Sequence, residues 1–143
     1  MYGIIATWRM ALEGISKADS MLKNNKSAAD SIEEAIKAVE DFEYYKSVGY
    51  GGLPNEEMEV ELDAAFMDGD TLEFGCVGGI KDFANPVSIA RSLMHYDANN
   101  FLIGQGAEKY ASRHGFERKT MLTDRAKIHY HNRTKEITNT ELK

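Results

Sequence analysis

Residues Glu57–Ile80 read EMEVELDAAFMDGDTLEFGCVGGI, and their hydrophobic period is two. Met58, Val60, Leu62, Ala64 and Phe66 alternate with Glu57, Glu59, Glu61 and Asp63, so an extended backbone sends the first set to one face and the carboxylates to the other. Asp68, Gly69 and Asp70 supply turn chemistry, and Leu72, Phe74, Cys76 and Ile80 alternate down a returning strand. The stretch predicts a half-buried hairpin. Its carboxylate row is a wet strand face, because neighbours at i and i+2 project in parallel whereas a calcium site needs ligands that converge from a loop.

On the N-terminal side the pattern changes. YGIIATW, Tyr2–Trp8, is a short apolar run that predicts a buried strand. It leads into Arg9–Asn25, where Met10, Ile15 and Leu22 fall near one helical stripe. Ser27 with Asp30 three residues on resembles a capping arrangement, and Ala28, Ile32, Ala35, Ile36 and Val39 form a continuous stripe, with Glu33, Glu34 and Lys37 on the wet face. This predicts a second helix.

On the C-terminal side Asn85 is placed as an N-cap with Pro86 at the first helical position, where its missing N–H does no harm. Asn99–Gly115 reads as a short strand, a glycine turn and a helix. Gly104 and Gly106 suggest a dinucleotide loop, but the third glycine of that fingerprint would fall on Lys109, so the spacing excludes it. Thr123 caps a last, polar helix. On it His129 and His131 diverge by about 200° and cannot share a metal.

A chain of 143 residues, 43% of them hydrophobic, is read as a single domain, 1–143, of mixed α+β class. Its formal charge of -6 argues against a nucleic-acid partner. The basic residues Arg113, Arg118, Lys119, Arg125, Lys127 and Arg133 are interleaved with Glu117 and Asp124 and read as a solvated face. One cysteine, Cys76, permits no internal disulfide, and no stretch approaches the roughly 20 apolar residues of a membrane span, so a cytoplasmic, membrane-free protein is expected. Cys76 is flanked by Gly75 and Val77 with no histidine nearby in sequence and reads as a buried strand residue. No set of nucleophile, base and oxyanion donors can be assembled.

Several segments together carry a resemblance: TW at Thr7–Trp8, SVGYGG at Ser47–Gly52, ELDAAFMDGDTLEFGCVGGI at Glu61–Ile80, NPVSIAR at Asn85–Arg91 and LIGQGAEKYASRHGF at Leu102–Phe116. In this order they resemble the N-terminal α subunit of the glycosylasparaginase family, grouped with plant-type asparaginases and isoaspartyl peptidases among the N-terminal-nucleophile hydrolases. The resemblance implies the α-subunit half of a four-layer αββα sandwich with two antiparallel sheets. It also implies a precursor that cleaves itself before a threonine, which becomes nucleophile and, through its own amine, base. That motif is not in these residues. The chain closes at ITNTELK, short of where the family pattern places the cleavage, and no catalytic residue is expected within it.

By the same resemblance Trp8 walls the substrate pocket, Ser47 lies near the aspartyl end of the substrate and Thr7 is a weaker neighbour. The implied partner is a β subunit from the same precursor in an (αβ)2 assembly, with no cofactor and no metal. The implied reaction is hydrolysis of the side-chain amide of asparagine derivatives such as N4-(β-N-acetylglucosaminyl)-L-asparagine. L-asparaginase or isoaspartyl dipeptidase activity, or a noncatalytic amino-acid-binding module, are the alternatives.

Overall fold

A computed structural model describes residues 1–141, with side chains through Ile137; Leu142 and Lys143, which close the ITNTELK run, lie outside the described residues. The hairpin forms. β1 (Glu61–Met67) and β2 (Phe74–Lys81) pair antiparallel. Asp68 shapes the turn by accepting from the backbone N–H groups of Asp70 and Thr71 at 2.8 and 3.2 Å.

The returning strand does not present the expected face. Leu62 lies opposite Ile80 and Ala64 opposite Val77, so Asp63 alone faces both Gly78 and Gly79 in a β-bulge. Gly79 takes φ +57° and donates its N–H to Asp63 Oδ1 at 2.8 Å. The extra residue reverses the parity of the strand between Cys76 and Ile80. Gly75, Val77 and Ile80 are the buried set, while Phe74 and Cys76 turn to the opposite face and Leu72 stands exposed in the turn.

A helix selects the covered face. α3 (Pro86–Leu93) crosses β2 so closely that a Cβ on Gly75 would lie 2.0 Å from the Ala90 carbonyl oxygen. β3 (Phe101–Ile103) then joins β2 in parallel, with Cys76 opposite Phe101 and Gly78 opposite Ile103. The sheet, in order β1-β2-β3, is therefore mixed and not antiparallel throughout, because α3 returns the chain to the starting end of β2. α4 (Gly104–Arg113) follows at once. Between these layers lie Leu62, Phe66, Val77, Ile80, Phe83, Val87, Ile89, Leu93, Tyr110 and Met121, all buried.

α1 (Leu12–Lys23), entered through a single 3-10 turn at Arg9–Ala11, and α2 (Ala28–Glu40) form a helical hairpin. The Ser27 cap is observed, its hydroxyl accepting from Asp30 N–H at 3.0 Å. α2 is tied to α3 by Arg91, which meets Asp30 at 2.7 Å and also pairs with Glu33. The last helix, α5 (Asp124–Glu141), starts where Thr123 Oγ1 accepts from Ala126 N–H at 3.2 Å.

Two apolar surfaces are covered less than expected. Tyr2–Trp8 forms no strand: Trp8 has extended dihedrals, but the segment has no ladder partner among the described residues, and Ile5 is 96% and Trp8 71% exposed. An extended segment needs a neighbouring strand to take its N–H and C=O groups. The α2 stripe of Ile32, Ala35, Ile36 and Val39 faces a cleft of about 510 Å³ between that segment and the helices.

The Gly75 contact leads to a test. Gly75→Ala must displace α3 from β2 and is expected to lower the unfolding free energy by about 2 kcal/mol or more. Gly69→Ala, at the open hairpin tip with nothing within 4 Å of a Cβ, is expected to stay within about 0.5 kcal/mol. Urea titration of both variants measures the difference.

Candidate active site

The segment between α2 and β1 is held as a tight loop by its own backbone. Tyr50 N–H donates to the Glu40 carbonyl at 2.7 Å, Gly52 N–H to Gly49 O at 3.1 Å and Leu53 N–H to Lys46 O at 2.9 Å. Gly51 N–H reaches Met121 O at 2.9 Å, which fastens the loop to the approach of α5. Gly49 is required here twice over. Its φ is +59°, and a Cβ would sit 2.0 Å from the Glu40 carbonyl oxygen.

Ser47 is exposed on this loop and lines a cleft of about 310 Å³ with Val48 and Gly49, with Glu61–Ala65 of β1, and with Pro86 and Val87 of α3. Thr7 and Trp8, also exposed, line the 510 Å³ cleft instead. Val48, Ile36 and Val39 belong to both linings and form the wall between them. The structure thus places Trp8 and Thr7 on one side of that wall and Ser47 on the other.

The carboxylate row divides its partners. Glu59 pairs with Lys81, Glu61 lies 3.5 Å from the same ammonium, and Asp63 is committed to Gly79 N–H in the bulge. Cys76, expected to be buried, is half-exposed on the open sheet face between Ala65 of β1 and Phe101 of β3. That displacement is the bulge's doing.

The buried carboxyl of Glu40, 6% exposed, was not singled out from sequence. Its Oε1 accepts from Val87 N–H at 3.3 Å and its Oε2 from Asn85 Nδ2 at 3.3 Å. Asn85 occupies the N-cap position, but its side chain makes no cap bond and turns instead to Glu40 and Asp41. The cap of α3 therefore comes from the end of α2. The signal was present in the spacing: Glu40 follows Ile32 and Ile36 at intervals of four, on the apolar stripe. Burial pushes its carboxyl up to about 7, against the bonds from Asn85 and Val87, which favour the charged form.

The asparaginase family model matches residues 5–143. The chain is 34% identical over 120 residues to N(4)-(β-N-acetylglucosaminyl)-L-asparaginase of Elizabethkingia miricola, which aligns 84% of this chain with 35% of that protein. It is 37% identical over 124 residues to isoaspartyl peptidase/L-asparaginase of Rattus norvegicus, 82% of this chain against 37% of that one. With plant-type L-asparaginase of Thermococcus kodakarensis the identity is 38% over 121 residues, 85% against 35%. These matches cover the hairpin, the Ser47 loop and α3 together, and the chain belongs to the asparaginase-type hydrolase family. It spans roughly a third of the length of these curated relatives, 35%, 37% and 35% respectively.

The raised Glu40 carboxyl makes stability depend on pH. Its folded value, about 7, lies above the ordinary glutamate value of 4.5. The folded state therefore binds the proton more tightly, and Glu40's contribution is full below about pH 4.5 and is lost as pH rises through 7. Stability is expected to fall by up to roughly 3 kcal/mol across that window. Glu40→Gln is expected to flatten the dependence, as followed by urea titration between pH 5 and 8.

Proposed function

We propose that the chain is the α-subunit part of an asparaginase-type amidohydrolase, cleaving the side-chain amide of an asparagine derivative with an N-terminal threonine of a β subunit. The observation that carries this reading is the family match together with a sheet face left open. Met67, Phe74, Cys76, Phe101 and Ile103 share that face, with Phe101 56% and Ile103 67% exposed. Contiguous apolar surface of this kind is masked by another layer in a stable protein. A second sheet from the β subunit would complete a four-layer αββα sandwich, and an (αβ)2 assembly in the cytoplasm fits the family resemblance.

In the assembled protein the threonine hydroxyl would attack the amide carbonyl while its own α-amine takes the proton. The C–N bond breaks as the amine leaves with a proton, and water then hydrolyses the ester to release aspartate. Oxyanion donors would come from the β subunit. By the family resemblance Trp8 would wall the pocket, with Thr7 beside it, and Ser47 would lie near the aspartyl end, although in this chain the Ile36, Val39 and Val48 wall stands between them. None of these three carries the chemistry; they shape the space.

Two substrate readings stand. Ser47 in place of the asparagine usual in plant-type members, together with Trp8, favours N4-(β-N-acetylglucosaminyl)-L-asparagine. Identities of 37% and 38% to an isoaspartyl peptidase/L-asparaginase and a plant-type L-asparaginase, against 34% to a glycosylasparaginase, favour asparagine or β-aspartyl dipeptides.

Native material is expected to contain a second polypeptide that begins with threonine, seen by mass spectrometry, and to hydrolyse one of the three substrates. Trp8→Ala is expected to lower kcat/KM about tenfold. A stable, soluble monomer of this chain alone, isolated from cells that carry the whole gene, would overturn the enzyme reading and leave a noncatalytic amino-acid-binding module.

A further inference from the structure

Glu40 joins three elements. Its main-chain carbonyl receives Tyr50 N–H at 2.7 Å, the backbone of Gly49 is folded directly against it, and its side chain crosses to the N-terminus of α3. It is the one carboxyl among the buried residues of the described chain. A carboxyl is costly to bury unless its oxygens are bonded, and here both are, Oε1 by Val87 N–H and Oε2 by Asn85 Nδ2. Pro86 has no N–H, which makes Val87 the first amide donor of α3, and that donor is bonded to Glu40. The loop that bears Ser47 is thus anchored near α3 through Glu40, which reaches Val87 and Asn85, and at its first residue through Asp41, which accepts from Asn85 Nδ2 at 3.1 Å.

We infer that Glu40 is a positioning residue: braced on α3, it holds Ser47–Gly49 at the wall of the candidate pocket and so sets where the aspartyl end of a substrate would meet the loop. The inference rests on the asparaginase-type reading for its catalytic consequence, and on geometry alone for the brace. Lys37 of α2, Asp41 just past its end and Asn85 at the N-cap of α3 act on the carboxyl, and Glu61 and Asp63 of β1 line the same cleft. The second tie between α2 and α3, Arg91 with Asp30 and Glu33, lies elsewhere on the helices and has no bond to the loop. It provides an internal comparison, a tie between the same two helices that does not touch the loop.

The test uses the whole assembled protein expressed from its full gene, with Glu40→Ala, Glu40→Gln and Arg91→Ala variants. KM and kcat are measured on the substrate that the wild type hydrolyses, and hydrogen exchange is followed at Tyr50 and Val87. Glu40→Ala is expected to raise KM about tenfold and to reduce protection of the Tyr50 amide by a similar factor. Glu40→Gln, which keeps an acceptor for Val87 N–H, is expected to restore KM to within about threefold of wild type. Arg91→Ala is expected to lower Tm while leaving KM and Tyr50 protection unchanged.

Equal KM changes in Glu40→Ala and Arg91→Ala, or unchanged Tyr50 protection in Glu40→Ala, would overturn the brace. Should Glu40→Ala fail to assemble, Glu40→Asp, one methylene too short to reach Val87, decides the matter: it must lose Tyr50 protection where Glu40→Gln keeps it. A wild type with no amidase activity but with the expected exchange pattern would defeat the functional reading and leave the brace standing.

Discussion

The approach of α3 to β2 at Gly75 governs the covered side of the sheet. The Ala90 carbonyl occupies the space where a side chain at position 75 would begin, so helix and strand meet backbone to backbone. That contact decides which face of the hairpin is buried, and it brings Val87, Ala90 and Leu93 over Leu62, Phe66, Val77 and Ile80. Because α3 lies there, the chain must re-enter the sheet at the far side of β2, and a crossover of this length returns the strand in parallel. A larger residue at position 75 would remove the reason for each of these features.

The same helix is anchored at its other end by a carboxyl borrowed from α2. Asn85 stands where a local cap belongs, yet its amide is turned to Glu40 and Asp41, and Glu40 answers the first free N–H of α3. The arrangement couples the helix to the Ser47 loop, since the backbone of Glu40 also receives Tyr50. Burial opposes ionisation of the group while its two bonds favour it, and burial is the larger effect. A neutral or half-neutral carboxyl can still accept from Val87, so the brace is compatible with both forms.

Layer by layer, the described chain is one-sided. Helices cover one face of a three-stranded sheet, while the other face carries Phe101, Ile103, Met67 and Phe74 in the open, and the apolar stripe of α2 looks into a cleft. Relatives of about three times the matched length belong to the same family. The proposed α-subunit role would account for both, a second sheet covering the open face and a further strand, separately, taking the N–H and C=O groups of Tyr2–Trp8.

Local periodicity was enough to place the hairpin, both helices of the N-terminal pair, the Ser27 and Thr123 caps and the strand–glycine–helix run at Phe101–Arg113. Each depends on residues no more than a few positions apart, so composition and spacing carry the information. The quoted motifs likewise sufficed to place the chain in its family, because they recur in order along most of it. The inverted face of β2, the parallel β3, the exposure of Trp8 and the burial of Glu40 were decided by tertiary structure. A bulge at Gly78–Gly79 changes parity only when a partner strand sets the register, and a carboxyl on an apolar stripe is buried only if a helix N-terminus arrives to receive it. These outcomes depend on segments distant in sequence meeting in space, and no local pattern contains that meeting.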